Sequence, residues 1–512
     1  MNPAPARRRR LVSSLAVVLA VSPALFADVT PATLFQDHAV LQRDKPVPVW
    51  GTADAGEQVT VTFADQSKST VAGQDGRWSV TLDPLSASAT SATLTIAGNN
   101  TLTLSDILVG EVWLASGQSN MEWAVKDTYD HALDVPASAN LPIRHIKIPR
   151  KVSDTPLTQA GGSWQTASPA TTGEFTAVGY YFARDIHALV GVPVGIINST
   201  WGGTRAESWT DPDTLATNPA LGYVGEAWSK TLAEYPALKA KYEADFEAWN
   251  QRRAAAHAAG EPFSERAPGA PRGPGHHATP SGLYNAMIHP LVPYALRGTI
   301  WYQGESNADR AEQAVRYHEL FSAMITGWRE KFGQSDFPFH WVQLANFGTR
   351  DPQGDTWALL REAQTKTLAL PATGQAVAID IGDVRDIHPR NKKDVGRRLA
   401  RLALAREYGF QIADSGPVFQ KAEREGAGYR VTFAHAHGRL TAPLNTLAGF
   451  EIAGADKVFH PADAKIERDT VFVSSAEVPE PVAVRYAWRN APVAGLFNRE
   501  GLPAAPFRTD SW

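Results

Sequence analysis

From Asp106 to about Ala413 the chain alternates between short apolar runs and longer segments of helical period, and few folds accommodate that alternation. Apolar runs over 107–114, 144–148, 192–198, 298–303, 340–344 and 376–381 read as strands, and segments over 177–189, 312–332, 359–370 and 392–408 read as helices. Strands with few polar residues, alternating with helices, belong to a mostly parallel sheet covered on both faces. The last helix carries Val395, Leu399, Leu402 and Ala403 on one side and Arg397, Arg398 and Arg401 on the other, a face for the core and a face for water. In such a sheet ligands meet the carboxyl ends of the strands, so chemistry is expected there.

On either side the period changes to two. Runs over 47–51, 58–63, 77–82 and 92–97, with Asp75-Gly76 as a hairpin turn, predict a small β-sandwich; runs over 429–433, 470–473 and 483–488 predict a second β-domain. A chain of 512 residues is too long for one core, and the expected division is 28–105, 106–414 and 415–512. One piece interrupts the alternation: 229–259 has helical periodicity and 261–280 is a Pro/Gly-rich loop with His276-His277, together a helical excursion over 229–280 that returns near the cleft mouth. Adjacent histidines in a loop read as solvated side chains.

Residues 1–27 form a separate segment, with Arg7 to Arg10, an apolar stretch and a zone of small residues ending at Ala27. This is the pattern of a secretory signal peptide, too short to span a bilayer, and it predicts an exported protein, periplasmic or extracellular. No later run approaches 18 apolar residues, so no membrane is expected for the mature form. Without the four leader arginines the net charge falls from −4 to −8, which argues against nucleic acid as a partner. Cysteine is absent, which removes disulfides, thiolate catalysis and Cys-ligated zinc.

The first strand of the alternating region ends in Leu114-Ala115-Ser116-Gly117-Gln118-Ser119-Asn120-Met121. A hydroxyl at that edge faces the crevice, and its own backbone N–H can help bind an oxyanion. Serine is a weak nucleophile until a base takes its proton, so a catalytic serine predicts a histidine elsewhere. Taken alone, Ser116 and Ser119 can equally close a turn or cap a helix.

Three further stretches follow in order: Leu283-Tyr284-Asn285-Ala286-Met287-Ile288-His289-Pro290-Leu291, Trp301-Tyr302-Gln303-Gly304-Glu305-Ser306-Asn307 and Asp386-Ile387-His388-Pro389-Arg390-Asn391-Lys392. With Gly117-Gln118-Ser119-Asn120-Met121 they resemble the sialate O-acetylesterase family of the SGNH-hydrolase superfamily over nearly the whole mature chain. The resemblance implies a three-layer α/β/α core of the SGNH-hydrolase, flavodoxin-like type between N- and C-terminal β-sandwich domains. It also implies an esterase that removes acetyl groups from carbohydrate, with no cofactor and no metal.

On this resemblance Ser119 is the nucleophile and His388 its base. The superfamily often has its acid three residues before the histidine, where this chain has Arg385; Asp386, two before, is the first candidate, Glu305 its rival and Asp383 more remote. The oxyanion hole is expected from the Ser119 N–H, from Gly202 or Gly203 in Asn198-Ser199-Thr200-Trp201-Gly202-Gly203-Thr204, and from Gln303, with Asn307 as a supporting substrate-binding residue. Arg205 is the candidate for an acidic sugar; Trp123, Trp201 and Trp301 are candidate cleft walls. Acetylated sialic acid and acetylated plant polysaccharides such as xylan or xyloglucan both fit as substrate. Two other classes stay open: a glycoside hydrolase using Glu305 and Asp386 as a carboxylate pair, and a non-catalytic glycan-binding protein.

Overall fold

One strand, β1 (Thr101–Gly117), runs through the middle of the protein and changes character along its length. Its first six residues alternate between exposed and half-buried, while Ile107 onward is buried on both sides. The first part pairs antiparallel with Ser88–Ala97, where one face meets water; the second lies at the centre of a parallel sheet, where neither does. Asp106, at the change, takes a left-handed conformation (φ +53°), and its carboxylate meets His38 Nδ1 at 2.7 Å and Arg144 Nη2 at 3.0 Å. The apolar pattern predicts only the doubly buried part. The computed structural model describes Met1 and residues 28–139, 141–349, 354–443 and 447–512; the expected signal peptide over 1–27 lies almost wholly outside them.

The central sheet adds β2 (Ile143–Lys147), β3 (Trp164–Thr166), β4 (Val194–Thr200), β5 (Gly298–Tyr302), β6 (Phe339–Gln343) and β7 (Thr373–Val377), in the order β3-β2-β4-β1-β5-β6-β7. All pairs are parallel except the edge pair β3-β2, and β3 is too short to be read from the sequence. Helices cover both faces. The helices α1 (Ala177–Val190) and α2 (Lys392–Arg406) pack together on one side, α3 (Ala311–Phe332) and α4 (Thr356–Lys366) on the other. Residue 391 caps α2 through its side chain, with Asn391 Oδ1 accepting from the Asp394 N–H at 3.2 Å.

β7 starts and stops earlier than the expected run over 376–381. The chain leaves the sheet at Val377 because Arg398 donates to its carbonyl at 2.7 Å and grips both Asp380 oxygens at 2.6 and 2.7 Å. In the N-terminal part the expected strands are present, with the polar strand Gln66–Val71 in addition. Asp75-Gly76 does turn the chain, with Gly76 at φ +73°, but it is not a hairpin: Gln66–Val71 pairs with Gln58–Phe63, and Arg77–Leu82 pairs with Val47–Thr52 in another sheet.

The excursion begins earlier than its periodicity suggests, as a helix over Gly222–Ala259 that buries only Val224 and Trp249. Its polar face is laced by Lys239–Glu243 and Lys241–Asp245 pairs, and the return loop is tied back to it by Trp249 Nε1 donating to the Glu265 carbonyl at 3.0 Å. C-terminal antiparallel strands, among them Val418–Glu425, Gly428–Ala434, Asp463–Glu467 and Thr470–Ser474, share a second apolar cluster that also takes in Val377 and Ile379.

Candidate active site

Three neighbouring strands end level. Gly117 of β1 lies opposite Thr200 of β4 and Tyr302 of β5, so the segments that follow them open at one edge of the sheet. Gly117 has φ +130°, and a Cβ there would stand 2.3 Å from the Tyr302 carbonyl oxygen, so only glycine lets β1 turn at that point. Ser119 then opens a short helix, Ser119–Glu122.

His388 reaches the same edge from the loop after β7. Its Nε2 lies 2.8 Å from Ser119 Oγ, across 269 residues of sequence. Burial, and then the ammonium of Lys392, hold the imidazole below its usual 6.5, with Asp386 opposing. The ring is therefore neutral at pH 7 and can accept the serine proton. Trp123 stacks on it, with centroids 5.2 Å apart and planes 19° from parallel. The other serine of the motif, Ser116, is fully buried and donates to the Ser199 carbonyl at 2.7 Å, a structural bond.

None of the three acidic candidates hydrogen-bonds the ring. Asp386 is nearest, its Oδ1 3.9 Å from His388 Nδ1, a charge contact; the same oxygen accepts the His388 backbone N–H at 2.9 Å. Asp383 accepts from the Arg385 N–H at 2.8 Å and serves its own turn. Glu305 is buried and accepts from Asn120 Nδ2, so it reaches the histidine only through other residues. Burial pushes its carboxyl above the usual range, and its Oε2 has no hydrogen-bond partner. Glu305 is thus enclosed and held by Asn120, while Asp386 is exposed to solvent beside His388.

Both members of the glycine pair are explained by position. A Cβ on Gly202 would come within 3.1 Å of the Ser119 Cβ, whereas Gly203 has open space but a left-handed φ of +74°. The Gly202 N–H already donates to Glu122 Oε2 at 3.0 Å. Gln303 departs from its expected place in the oxyanion hole. Its Nε2 donates to the Thr204 carbonyl at 3.1 Å and to Asn307 Oδ1 at 2.7 Å, and its Oε1 accepts from Tyr317 at 2.8 Å. Asn307 is likewise buried, accepting from the Ala206 N–H at 3.1 Å and donating to Glu207 at 2.9 Å, so both brace the edge from beneath it. Gln118 lines the cleft instead; its Oε1 accepts from the N–H groups of Gly304 and Ser306 at 3.4 and 3.3 Å.

The motifs that contain Asn120 and Lys392 do not by themselves assign either a role, yet both lie directly behind the serine and histidine. Lys392 is wholly buried, donates to Asn120 Oδ1 at 2.5 Å and lies 5.7 Å from the Trp123 ring and 5.5 Å from that of Tyr302. Burial lowers its pKa to about 7, against the pull of Glu305 and Asp386. A signal for it exists in the sequence: Lys392 falls on the same helical face as Val395 and Leu399, so a cation occupies a core position.

The cleft has a volume of about 460 Å³, and Ser119 and His388 share it with Arg205, Arg272 and His277. Arg205 is paired with Asp309 at 2.9 Å; Arg272 has no acidic partner among the described residues. His277 is not a solvated loop residue. It faces the cleft, packs on Trp201 with centroids 5.5 Å apart, and leaves Nδ1 buried and unpartnered. Trp123 and Trp201 therefore border the site, while Trp301 lies in the core against Trp209, Phe321 and Trp328. Among the described residues no three His, Cys, Asp or Glu side chains gather as a metal site, and no helix is long and apolar enough to cross a membrane.

Comparison with known proteins places the chain among carbohydrate esterases. Residues 272–405 match the family described as "Carbohydrate esterase, sialic acid-specific acetylesterase". The chain is 31% identical to the sialate O-acetylesterase of Rattus norvegicus over 93% of each protein, and 29% identical to that of Mus musculus, again over 93% of each. It is 42% identical to a carbohydrate acetylesterase of Xanthomonas citri of known crystal structure, with a TM-score of 0.81 covering 95% of this chain and 100% of that one.

Proposed function

Since the chain belongs to the sialate O-acetylesterase family, and is therefore a carboxylic ester hydrolase that removes O-acetyl groups from carbohydrate, we propose that it works through an acetyl-Ser119 intermediate with His388 as base. The observation that carries this reading is the 2.8 Å approach of His388 Nε2 to Ser119 Oγ at the floor of an open cleft. His388 takes the hydroxyl proton as Ser119 attacks the acetyl carbonyl, and then gives it to the leaving sugar oxygen. Water, activated by the same imidazole, releases acetate.

The oxyanion is held by the backbone N–H groups of Ser119 and Gly203, since that of Gly202 is engaged by Glu122. Gln118, whose amide borders the cleft, takes the place first expected for Gln303. Asp386 biases the imidazole by charge. The substrate is an acidic acetylated sugar of the sialate type, because the cleft rim presents Arg272 and Arg205. Export of the mature protein rests on the leader over 1–27, and the division into 28–105, 106–414 and 415–512 is part of the same proposal, with the left-handed Asp106 at the first junction.

The test is hydrolysis of p-nitrophenyl acetate by the mature protein beside Ser119→Ala and His388→Ala. Each substitution is expected to lower kcat by at least about a thousandfold with the fold intact. Turnover by the Ser119→Ala protein at the wild-type rate overturns the mechanism.

A further inference from the structure

Ser119 and His388 come from segments that the chain alone does not hold together. The loop over 382–389 that carries the histidine is exposed at Val384, Arg385 and Asp386, and the hydrogen bond Asp386 makes is to the backbone N–H of His388 within the same turn. What ties it to the nucleophile is Asn120, the residue after Ser119. Its Nδ2 donates to the Ile387 carbonyl at 2.9 Å and to Glu305 Oε1 at 2.5 Å, and its Oδ1 accepts from Lys392 Nζ at 2.5 Å. An amide has two N–H donors and a carbonyl acceptor, and here every one is used.

We propose that Asn120 is a positioning residue that clamps the serine, glutamate and histidine segments into one site, with Glu305 and Lys392 as its charged anchors. This rests on the Ser119–His388 mechanism above. Side-chain chemistry leaves little freedom at the position. A flipped amide would set NH₂ against an ammonium and a carbonyl against a carboxylate, so the orientation is fixed by its two neighbours. Aspartate would face Glu305 with a second carboxylate, and an apolar residue would leave an ammonium and a carboxyl buried without their shared partner. A clamp that sets the backbone on both sides of a 2.8 Å serine–histidine contact acts on the rate of attack, because small displacements at that distance cost much of the reaction.

The anchors also connect the clamp to the charge state of the base. The groups facing Lys392 are Glu305, Asp386, Asn120 and the rings of Trp123 and Tyr302; those facing His388 are Ser119, Asp386, Lys392 and Trp123. Removing the Lys392 charge therefore takes away one of the influences that keep His388 unprotonated.

The experiment measures kcat, KM and the pH dependence of kcat/KM on p-nitrophenyl acetate for Asn120→Ala, Lys392→Met and Glu305→Gln, with Ser119→Ala as reference and circular dichroism to show that each is folded. Asn120→Ala is expected to lower kcat about a hundredfold with KM within about threefold. Glu305→Gln keeps an acceptor for Asn120 and serves where the alanine variant does not fold; it is expected to lose about tenfold in kcat. Lys392→Met is expected to move the acid limb of the profile to higher pH. If folded Asn120→Ala, or Glu305→Gln in its place, keeps wild-type kcat or changes KM alone while Ser119→Ala is inactive, the clamp is refuted and the serine mechanism stands. An unmoved acid limb in Lys392→Met removes the lysine from the proposal. Full activity in Ser119→Ala refutes the mechanism beneath it.

Discussion

A methyl group added to Gly202 would stand 3.1 Å from the Ser119 Cβ, a separation at which one of the two must yield by a few tenths of an ångström. Gly203, one residue on, has nothing within 4 Å of such a methyl but holds φ at +74°. The two glycines thus predict opposite phenotypes. Gly202→Ala is expected to lower kcat by about tenfold or more, by displacing the nucleophile, with a small change in stability. Gly203→Ala is expected to cost about 1 kcal/mol of stability through the left-handed backbone, while its N–H and most of the activity remain. Thermal midpoints and kcat for the pair separate the two effects.

The acid limb of kcat/KM is expected below pH 6.5. Burial and the Lys392 charge both lower the His388 pKa, and the neutral imidazole is the active form, so activity rises with pH along a limb displaced below that of an ordinary histidine. Asp386 acts in the other direction, so Asp386→Asn is expected to move the limb further down. With 3.9 Å between carboxylate and ring, the loss in kcat is expected to stay under about tenfold. A pH–rate profile of both proteins decides it, and a loss near a thousandfold would mean that Asp386 closes onto the ring during turnover.

Legibility in the sequence followed the kind of interaction. Strands β1, β4 and β5 and helices α1 and α3 could be read because burial on both faces, or on one helical stripe, leaves a periodic trace. That Ser119 and His388 would meet could be read from motifs that resemble one family in order, and the structure brings the two side chains to 2.8 Å. The role of Gln303 could not: a polar side chain at a strand end looks the same whether it faces the cleft or bonds to Tyr317, Thr204 and Asn307 beneath it. Nor could the tie between Asn120 and Ile387, which depends on where a loop 267 residues away lands. The return of the Pro/Gly-rich loop to the cleft mouth was legible, but the packing of His277 on Trp201 was not, because adjacent histidines in a loop carry no trace of the ring they will meet.

Substrate choice is expected to depend on the arginines at the rim. Arg272 is exposed on the return loop and lines the cleft, and Arg205 is already opposed by Asp309 at 2.9 Å. Arg272→Ala is therefore expected to reduce kcat/KM on an O-acetylated sialic acid about tenfold, Arg205→Ala by less, and neither should change turnover of p-nitrophenyl acetate by more than about twofold. Acetate release from acetylated xylan, measured beside it, is expected to be insensitive to both. Equal losses on the acidic and neutral substrates would remove charge recognition from the reading.

Among the contacts that join the C-terminal β-strands to the esterase core is one buried side chain whose loss can be measured as stability. Arg361 of α4 is fully buried and donates to four carbonyls: those of Leu344 and Ala345 after β6, at 2.7 and 2.8 Å, and those of Arg489 and Asn490 in the C-terminal part, at 2.8 and 2.9 Å. Burial lowers its pKa to about 9, so it carries its charge at neutral pH without a carboxylate beside it, and the carbonyl dipoles take that place. Methionine fills similar volume and offers no donor, leaving four acceptors to lose a charge-assisted bond at once. Part of that loss is returned because no cation need be desolvated. Arg361→Met is expected to destabilise the protein by about 3 kcal/mol, and Arg361→Lys, with one ammonium in place of a planar fork, by nearly as much. In urea denaturation the C-terminal strands are expected to unfold ahead of the core in the methionine variant, giving two transitions where wild type gives one. A single transition at the wild-type midpoint would show that the contacts left in place, the Arg508–Glu362 pair at 3.1 Å and the shared apolar cluster among them, are enough to join the two parts.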